Sequence, residues 1–220
     1  MPIFCRQTSS KEHIRESMKQ IKVLYADGAH VKYAEHISQM ITDSSQQRST
    51  GIARRTPDYI ASKMNKSNAV IALDGDQAVG FSYIESWSHG DYVATSGLIV
   101  APDYRRMGLA ERIKEKTFEL ARERYPNAKI FSLTTSLAVM KLNSRLGYQP
   151  VPLSELTHDE EFWLGCEGCV NYDVLQRNNH RICLCYGMLY EPGQGRQKSA
   201  WYTPYTMAMK NFANKIFRLK

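Results

Sequence analysis

The stretch 97–113, GLIVAPDYRRMGLAERI, restricts this chain more than any other. An apolar, β-branched run enters a turn and leaves it as a helix, with Arg105, Gly108 and Ala110 at the junction. Small residues there let backbone N–H groups converge at a helix start, where unsatisfied donors and the helix dipole favour a phosphate. The spacing lacks the Gly-Lys-Ser/Thr ending of a nucleoside-triphosphate loop, and it is not the glycine-rich dinucleotide pattern. What remains is R-x-x-G-x-A at 105–110, a short motif that draws its meaning from its surroundings.

Those surroundings are regular. Ser9 and Glu12 form a capping box ahead of Ile14, Met18 and Ile21, and IKVLY at 21–25 reads as the end of that helix or as a first strand. Helical spacing runs from Ala29 to about Ser44, and Thr56 caps a second helix with Pro57 at its first position. AVIAL, QAVGFSYIE and DYVATSGLIV, separated by DGD and SWSHGD, predict three consecutive antiparallel strands. A helix from about Gly108 to Tyr125 presents Leu109, Ile113, Thr117, Leu120 and Ala121 on one side. The strand AKIFSL, a helix ending at Gly147, and a strand beginning YQPVPL follow. Thr157 and Glu160 read as a second capping box. The expected fold class is α/β: a mixed, mostly antiparallel sheet flanked by helices, with a Cys-rich C-terminal extension. The expected division is an N-terminal extension at 1–20, a main domain at 21–156 and an extension at 157–220.

Composition narrows the function without choosing it. At 220 residues, 43% hydrophobic and 23% charged, the chain can bury a core without disulfides. No window reaches the ~18 apolar residues of a membrane helix, and the N-terminus lacks a signal-peptide pattern. A cytoplasmic protein without stable membrane association is expected. The net charge of +7 favours anionic partners. Its basic residues are scattered rather than gathered into a stripe, so no nucleic-acid partner is expected.

The hairpin AVIALDGDQAVGFSYIE, the segment LIVAPDYRRMGLA and the later NSRLGYQP occur in an order that resembles the GNAT family of acyl-coenzyme A N-acyltransferases, over about residues 21–153. The resemblance implies a ternary-complex transfer from acetyl-CoA or another acyl-CoA to a small-molecule amine. It implies that Arg105, Arg106, Met107, Gly108, Leu109 and Ala110 hold the pyrophosphate. It also implies that the strand bearing Leu98, Ile99 and Val100 splays from its neighbour, binds the pantetheine arm and polarises the thioester. Many members carry a Tyr that protonates the leaving thiolate, where this chain has Asn143. Asn143 can hydrogen-bond the coenzyme but cannot act as an acid. Tyr148 is expected in the core. Glu85 is the first candidate for the general base and His89 the second.

The segment EFWLGCEGCVNYDVL…RICLCYGMLYEP resembles a bacterial subgroup associated with arginine biosynthesis, which implies L-glutamate as acceptor and acetyl- or succinyl-CoA as donor. Candidate clamps for its carboxylates are Arg54, Arg55, Lys141 and Arg145. Cys166, Cys169, Cys183 and Cys185 form C-x2-C and C-x-C knuckles that suit a structural zinc, with His180 as an alternative ligand and buried thiols as the other reading. Trp163, Tyr172 and Tyr186 are candidate walls of the acceptor pocket. The tail MAMKNFANKIFRLK has an amphipathic pattern suited to docking on its own domain or in a homodimer.

Overall fold

In a computed structural model of the chain, the structure describes residues 20–48 and 52–193. The Ser9–Glu12 capping box, Cys5 and the basic tail lie outside those residues. IKVLY resolves as a strand, β1 (Lys22–Ala26). Asp27 caps a short 3-10 turn over Gly28–Tyr33, and helix α1 (Ala34–Arg48) follows, so regular helix starts later than the spacing suggests. Thr56 accepts from the Tyr59 N–H and starts α2 (Pro57–Asn65) as expected.

The three-strand meander is present as β2 (Ala69–Asp74), β3 (Gln77–Trp87) and β4 (Tyr92–Val100). Helix α3 (Leu109–Arg124), strand β5 (Lys129–Thr134) and helix α4 (Leu137–Arg145) come next. The chain then forms β6 (Gln149–Val151), α5 (Glu160–Leu164), α6 (Tyr172–Arg177) and β7 (Tyr186–Tyr190). Helix α5 is capped by Asp159, not by the expected Thr157. The Thr157 Oγ1 instead accepts from the Asp159 N–H.

The seven strands are ordered β1-β2-β3-β4-β5-β7-β6. β4 and β5 are parallel and every other pair is antiparallel. The segment after Thr157, expected as an appended Cys-rich extension, therefore contributes β7 to the sheet, between β5 and β6. Among the described residues no helix is long and apolar enough to cross a membrane.

Strand register assigns the two faces. Ile84 lies opposite Thr95 and Glu85 opposite Ala94, and the latter row continues through Phe131 to Leu189. Directly opposed residues share a face and successive residues alternate. Ile84, Val93 and Ile130 pack with Ile113 and Leu120 of α3. Ile71 and Phe81 pack with Ile37, Ile41, Ile60 and Met64 of α1 and α2. Ala94, Phe131 and Leu189 are covered by Leu153, Leu156, Trp163 and Leu175 from the segment around α5 and α6. The sheet thus separates α3 from α2, and among the described residues it opens at a place lined from both sides.

Candidate active site

That opening lies between β4 and β5. Their ladder holds only at Tyr92–Lys129, Val93–Ile130 and Ala94–Phe131. Beyond Phe131, β5 stays paired with β7 as far as Thr134, while β4 stays with β3. Each strand therefore turns one unpaired edge toward the other, and a cleft of about 1110 Å³ occupies the gap. A bulge in β4 widens it: Phe81 opposes Ile99 but Tyr83 opposes Ser96, so β4 carries an extra residue there. Gly97 at the bulge has φ +65°, and a Cβ on it would lie 2.4 Å from a Tyr83 ring carbon. Only glycine meets both conditions.

At one end the cleft meets the start of α3. Arg106 and Gly108 adopt left-handed backbone (φ +64° and +85°), which folds the loop so that the helix opens onto the cleft. No side chain caps Gly108, and the first N–H groups of an α-helix have no partner within it. Arg105, Arg106, Gly108, Leu109 and Ala110 line this end, as do Leu98, Ile99 and Val100 along β4. Arg105 Nε donates to the Val100 carbonyl, fixing its guanidinium beside the loop. Met107, included in the expected phosphate set, does not line the cleft. An uncapped helix start beside two arginines, followed by an unpaired strand edge, fits a diphosphate carrying an extended amide arm.

The other end is polar and crowded on the α2 face. Glu85 lines it and forms a half-buried ion pair with Lys63 of α2. Tyr59 stacks edge-on to Tyr83 (5.6 Å between centroids), and Lys63 Nζ sits 4.4 Å from the Tyr59 ring centre. Burial, then the neighbouring Tyr83 and Glu85, push the Tyr59 phenol upward, so it stays protonated. Arg55 Nε donates to the Tyr83 hydroxyl (2.9 Å), and its Nη1 donates to the Arg54 and Gly165 carbonyls. The Arg54 N–H donates to the Gly168 carbonyl (3.2 Å). These bonds tie the loop before α2 to the Cys-rich segment, which forms one wall through Phe162, Cys166 and Tyr172.

The remaining expected residues separate. His89 is exposed in the turn after β3, with φ +57°, and does not line the cleft. Lys141 and Arg145 line it from α4, but Arg145 pairs with Glu111 in the first turn of α3 (3.0 Å). They border the end at the start of α3, whereas Arg54 and Arg55 border the Glu85 end. Asn143 is fully buried, and neither its amide oxygen nor its nitrogen has a partner. Of the candidate walls Tyr172 lines the cleft. Trp163 is instead a core residue that donates from Nε1 to the Thr157 carbonyl and stacks on His180 at 5.5 Å. Tyr186 is exposed.

Cys166, Cys169, Cys183 and Cys185 all line the cleft wall as free thiols. Burial pushes Cys166 up to about 11, and burial with the adjacent Cys183 raises Cys185. Among the described residues, no three of His, Cys, Asp or Glu are gathered as donors to one ion. The expected structural zinc gains no support from these residues.

One residue escaped the sequence reading. Lys114 of α3 is 2% exposed, lines the cleft, and donates to Thr95 Oγ1 at 2.7 Å. Thr95 Oγ1 also contacts the Phe131 carbonyl (3.2 Å) and the Tyr148 hydroxyl (3.3 Å). Burial pulls the Lys114 amine down to about 7. The available signal was its spacing: Ala110, Lys114, Thr117 and Ala121 recur as an i, i+4, i+7, i+11 stripe, which places a lysine on a buried face.

Comparison with known proteins agrees with this fold. The fold is shared with N-acetylglutamate synthase from Neisseria gonorrhoeae, solved with coenzyme A and N-acetyl-glutamate (TM-score 0.57, 17% identity). The similarity covers 79% of this chain and 35% of that one, so this chain spans about a third of that enzyme's length. It is shared with Rv2747 from Mycobacterium tuberculosis, solved with CoA (TM-score 0.55, 15% identity, 77% of this chain and 98% of that one). Diaminobutyrate acetyltransferase EctA from Paenibacillus lautus is also similar (TM-score 0.52, 11% identity, 78% and 95%). No curated protein sequence matches. Residues 36–148, from α1 through the split strands to the end of α4, match the model of the acetyltransferase (GNAT) family, and the chain belongs to that family.

Proposed function

We propose that this protein is an N-acyltransferase that moves an acyl group from coenzyme A to the α-amine of a small acidic amino acid, L-glutamate, in a ternary complex. The observation that carries the acceptor half is the pairing of a carboxylate with guanidinium groups at one end of the cleft: Glu85 faces the place where β4 and β5 part, and Arg54 and Arg55 line the same end. A carboxylate can receive the amine proton, directly or through one water, and arginines suit the carboxylates of such an acceptor. The fold shared with the Neisseria N-acetylglutamate synthase supports the same acceptor class.

On this reading the donor's diphosphate lies at the start of α3 and its thioester lies at the β4 bulge. Backbone N–H groups near Leu98 and Ile99 polarise the thioester carbonyl, the usual main source of rate enhancement in acyl transfer. The contact with Lys63 orients the Glu85 carboxylate. Tyr59 and Tyr83, both protonated, complete a wall that excludes water from the α2 side. Arg55 is committed to Tyr83 and to the Gly165 carbonyl, so it shapes the pocket, while the exposed Arg54 engages the acceptor side chain.

Thiol release from acetyl-CoA and succinyl-CoA across a panel of amines tests the reading. Release with L-glutamate well above that with neutral or cationic amines is expected. Preference for a polyamine or an aminoglycoside would overturn the acceptor assignment.

A further inference from the structure

The mechanism just described uses the α2 face of the split, and it leaves Lys114 on the α3 face without a task. Lys114 is a cation placed where cations are costly. It is buried, it lines the cleft, and among the described residues no carboxylate pairs with it. An ammonium has three donors. One goes to Thr95 Oγ1, and the Tyr148 ring centre lies 5.3 Å away. An unpaired buried charge persists when something compensates it.

Its location says what that partner would be attached to. Thr95 follows Ala94, the last β4 residue paired with β5, so Lys114 stands at the closed end of the split. The phosphate loop is at the opposite end of β4, and the bulge at Gly97 lies between them. A donor entering from the loop therefore reaches Lys114 with the far end of its acyl chain, beyond the thioester. From Gly97 to Thr95 the strand rises ~7 Å, a gap that a methyl group leaves empty and a short chain fills.

We infer that Lys114 is an acyl-chain clamp, and that the preferred donor is a short acyl-CoA whose chain ends in a carboxylate. This rests on the acyltransferase reading above and adds the donor class to it. The transfer is unchanged in its bonds. The acyl carbon forms a bond to the amine nitrogen and breaks its bond to sulfur, the amine loses one proton toward Glu85, and the sulfur leaves as a thiolate that takes up a proton. Lys114 stays outside these changes and holds the distal carboxylate, with Thr95 fixing the amine in place.

The test is equilibrium binding to the full chain, by calorimetry and without acceptor, of succinyl-CoA and butyryl-CoA. The two have the same chain length and differ in the terminal charge. Wild-type protein is expected to prefer succinyl-CoA at least ~10-fold, the scale of one charge-assisted contact. In Lys114→Met that ratio should collapse to about one, and Lys114→Gln, which keeps a polar head, should behave alike if the Met variant does not fold. Equal affinity in the wild type, or a ratio that survives both substitutions, overturns the clamp. An equal loss of both ligands in the variants, leaving the ratio intact, also overturns it and marks Lys114 as structural. Because no acceptor is present, failure here leaves the glutamate assignment untouched, and silence with glutamate leaves this result standing.

Discussion

Replacing Lys114 with Met should stabilise the free protein, and by an amount that depends on pH. The folded state holds the amine at about 7, against 10.5 in the unfolded chain, and burial is the cause. Each tenfold fall in proton affinity costs about 1.4 kcal/mol, so at pH 7 and below the buried ammonium costs about 4–5 kcal/mol. The sign follows from proton counting. Between about pH 7 and 10.5 the unfolded chain binds more protons than the folded one, so the wild type gains stability as pH rises. By pH 9 the cost has dropped to about 2 kcal/mol. Methionine fills similar volume and removes the charge, but it forfeits the bond to Thr95, worth about 1 kcal/mol. The variant should therefore exceed the wild type by about 3–4 kcal/mol at pH 6 and by about 1 kcal/mol at pH 9. Urea unfolding of both proteins at the two pH values reads this directly. A variant less stable than wild type at pH 6, or an advantage equal at both pH values, would refute the reasoning.

Other perturbations address the rest of the cleft. Glu85→Gln should lower kcat by about 10²-fold or more, with succinyl-CoA or acetyl-CoA still bound in calorimetry; a near-normal kcat would remove Glu85 from the base role. Arg54→Ala should raise the acceptor KM about 10-fold or more while sparing donor affinity, and a shift in the donor KM alone would place Arg54 in the wrong half. Gly97→Ala should lower the urea midpoint by the equivalent of about 2 kcal/mol or more, because its Cβ meets the Tyr83 ring at 2.4 Å in a left-handed conformation. Wild-type stability in that variant would mean that the bulge relaxes freely.

The sequence carried the elements around the start of α3 well and the wall built after β6 less well. Strand and helix positions from Ala69 to Gly147 follow from local signals: DGD closes the β2–β3 hairpin, Ser136 caps α4, and Gly147 ends it with φ +96°. The turn into α3 was legible because its conformation is set by small residues at fixed spacing, with Gly108 at φ +85°. β7 was not, since GMLY follows a run of cysteines and its place between β5 and β6 is a long-range pairing that no local pattern encodes. Glu85, singled out from its strand end, does line the cleft, but its partner Lys63 lies in another element, and only the fold brings them together. Lys141 and Arg145 resembled Arg54 and Arg55 as surface cations, and their opposite placement is a matter of topology. The knuckle spacing of the cysteines suggested a metal, yet spacing alone does not fix the angles at which thiols converge.

β6 and β7 pair directly with each other, so residues 152–185, including every described cysteine, form the connection of a single hairpin. Both ends of that connection leave from neighbouring ends of two paired strands, and its middle is pinned to the loop before α2 by the Arg54–Gly168 and Arg55–Gly165 bonds. Chain closure grows only slowly with length, about 0.6 kcal/mol per doubling. The exposed turns of this wall can thus be lengthened or shortened while the strands keep their register, provided that apolar side chains still cover Ala94, Phe131 and Leu189 as Leu153, Leu156, Trp163 and Leu175 do. On the proposed reading this connection is an acceptor cassette, and related chains that differ between β6 and β7 but keep those apolar positions would be one donor-binding sheet fitted with different acceptor walls.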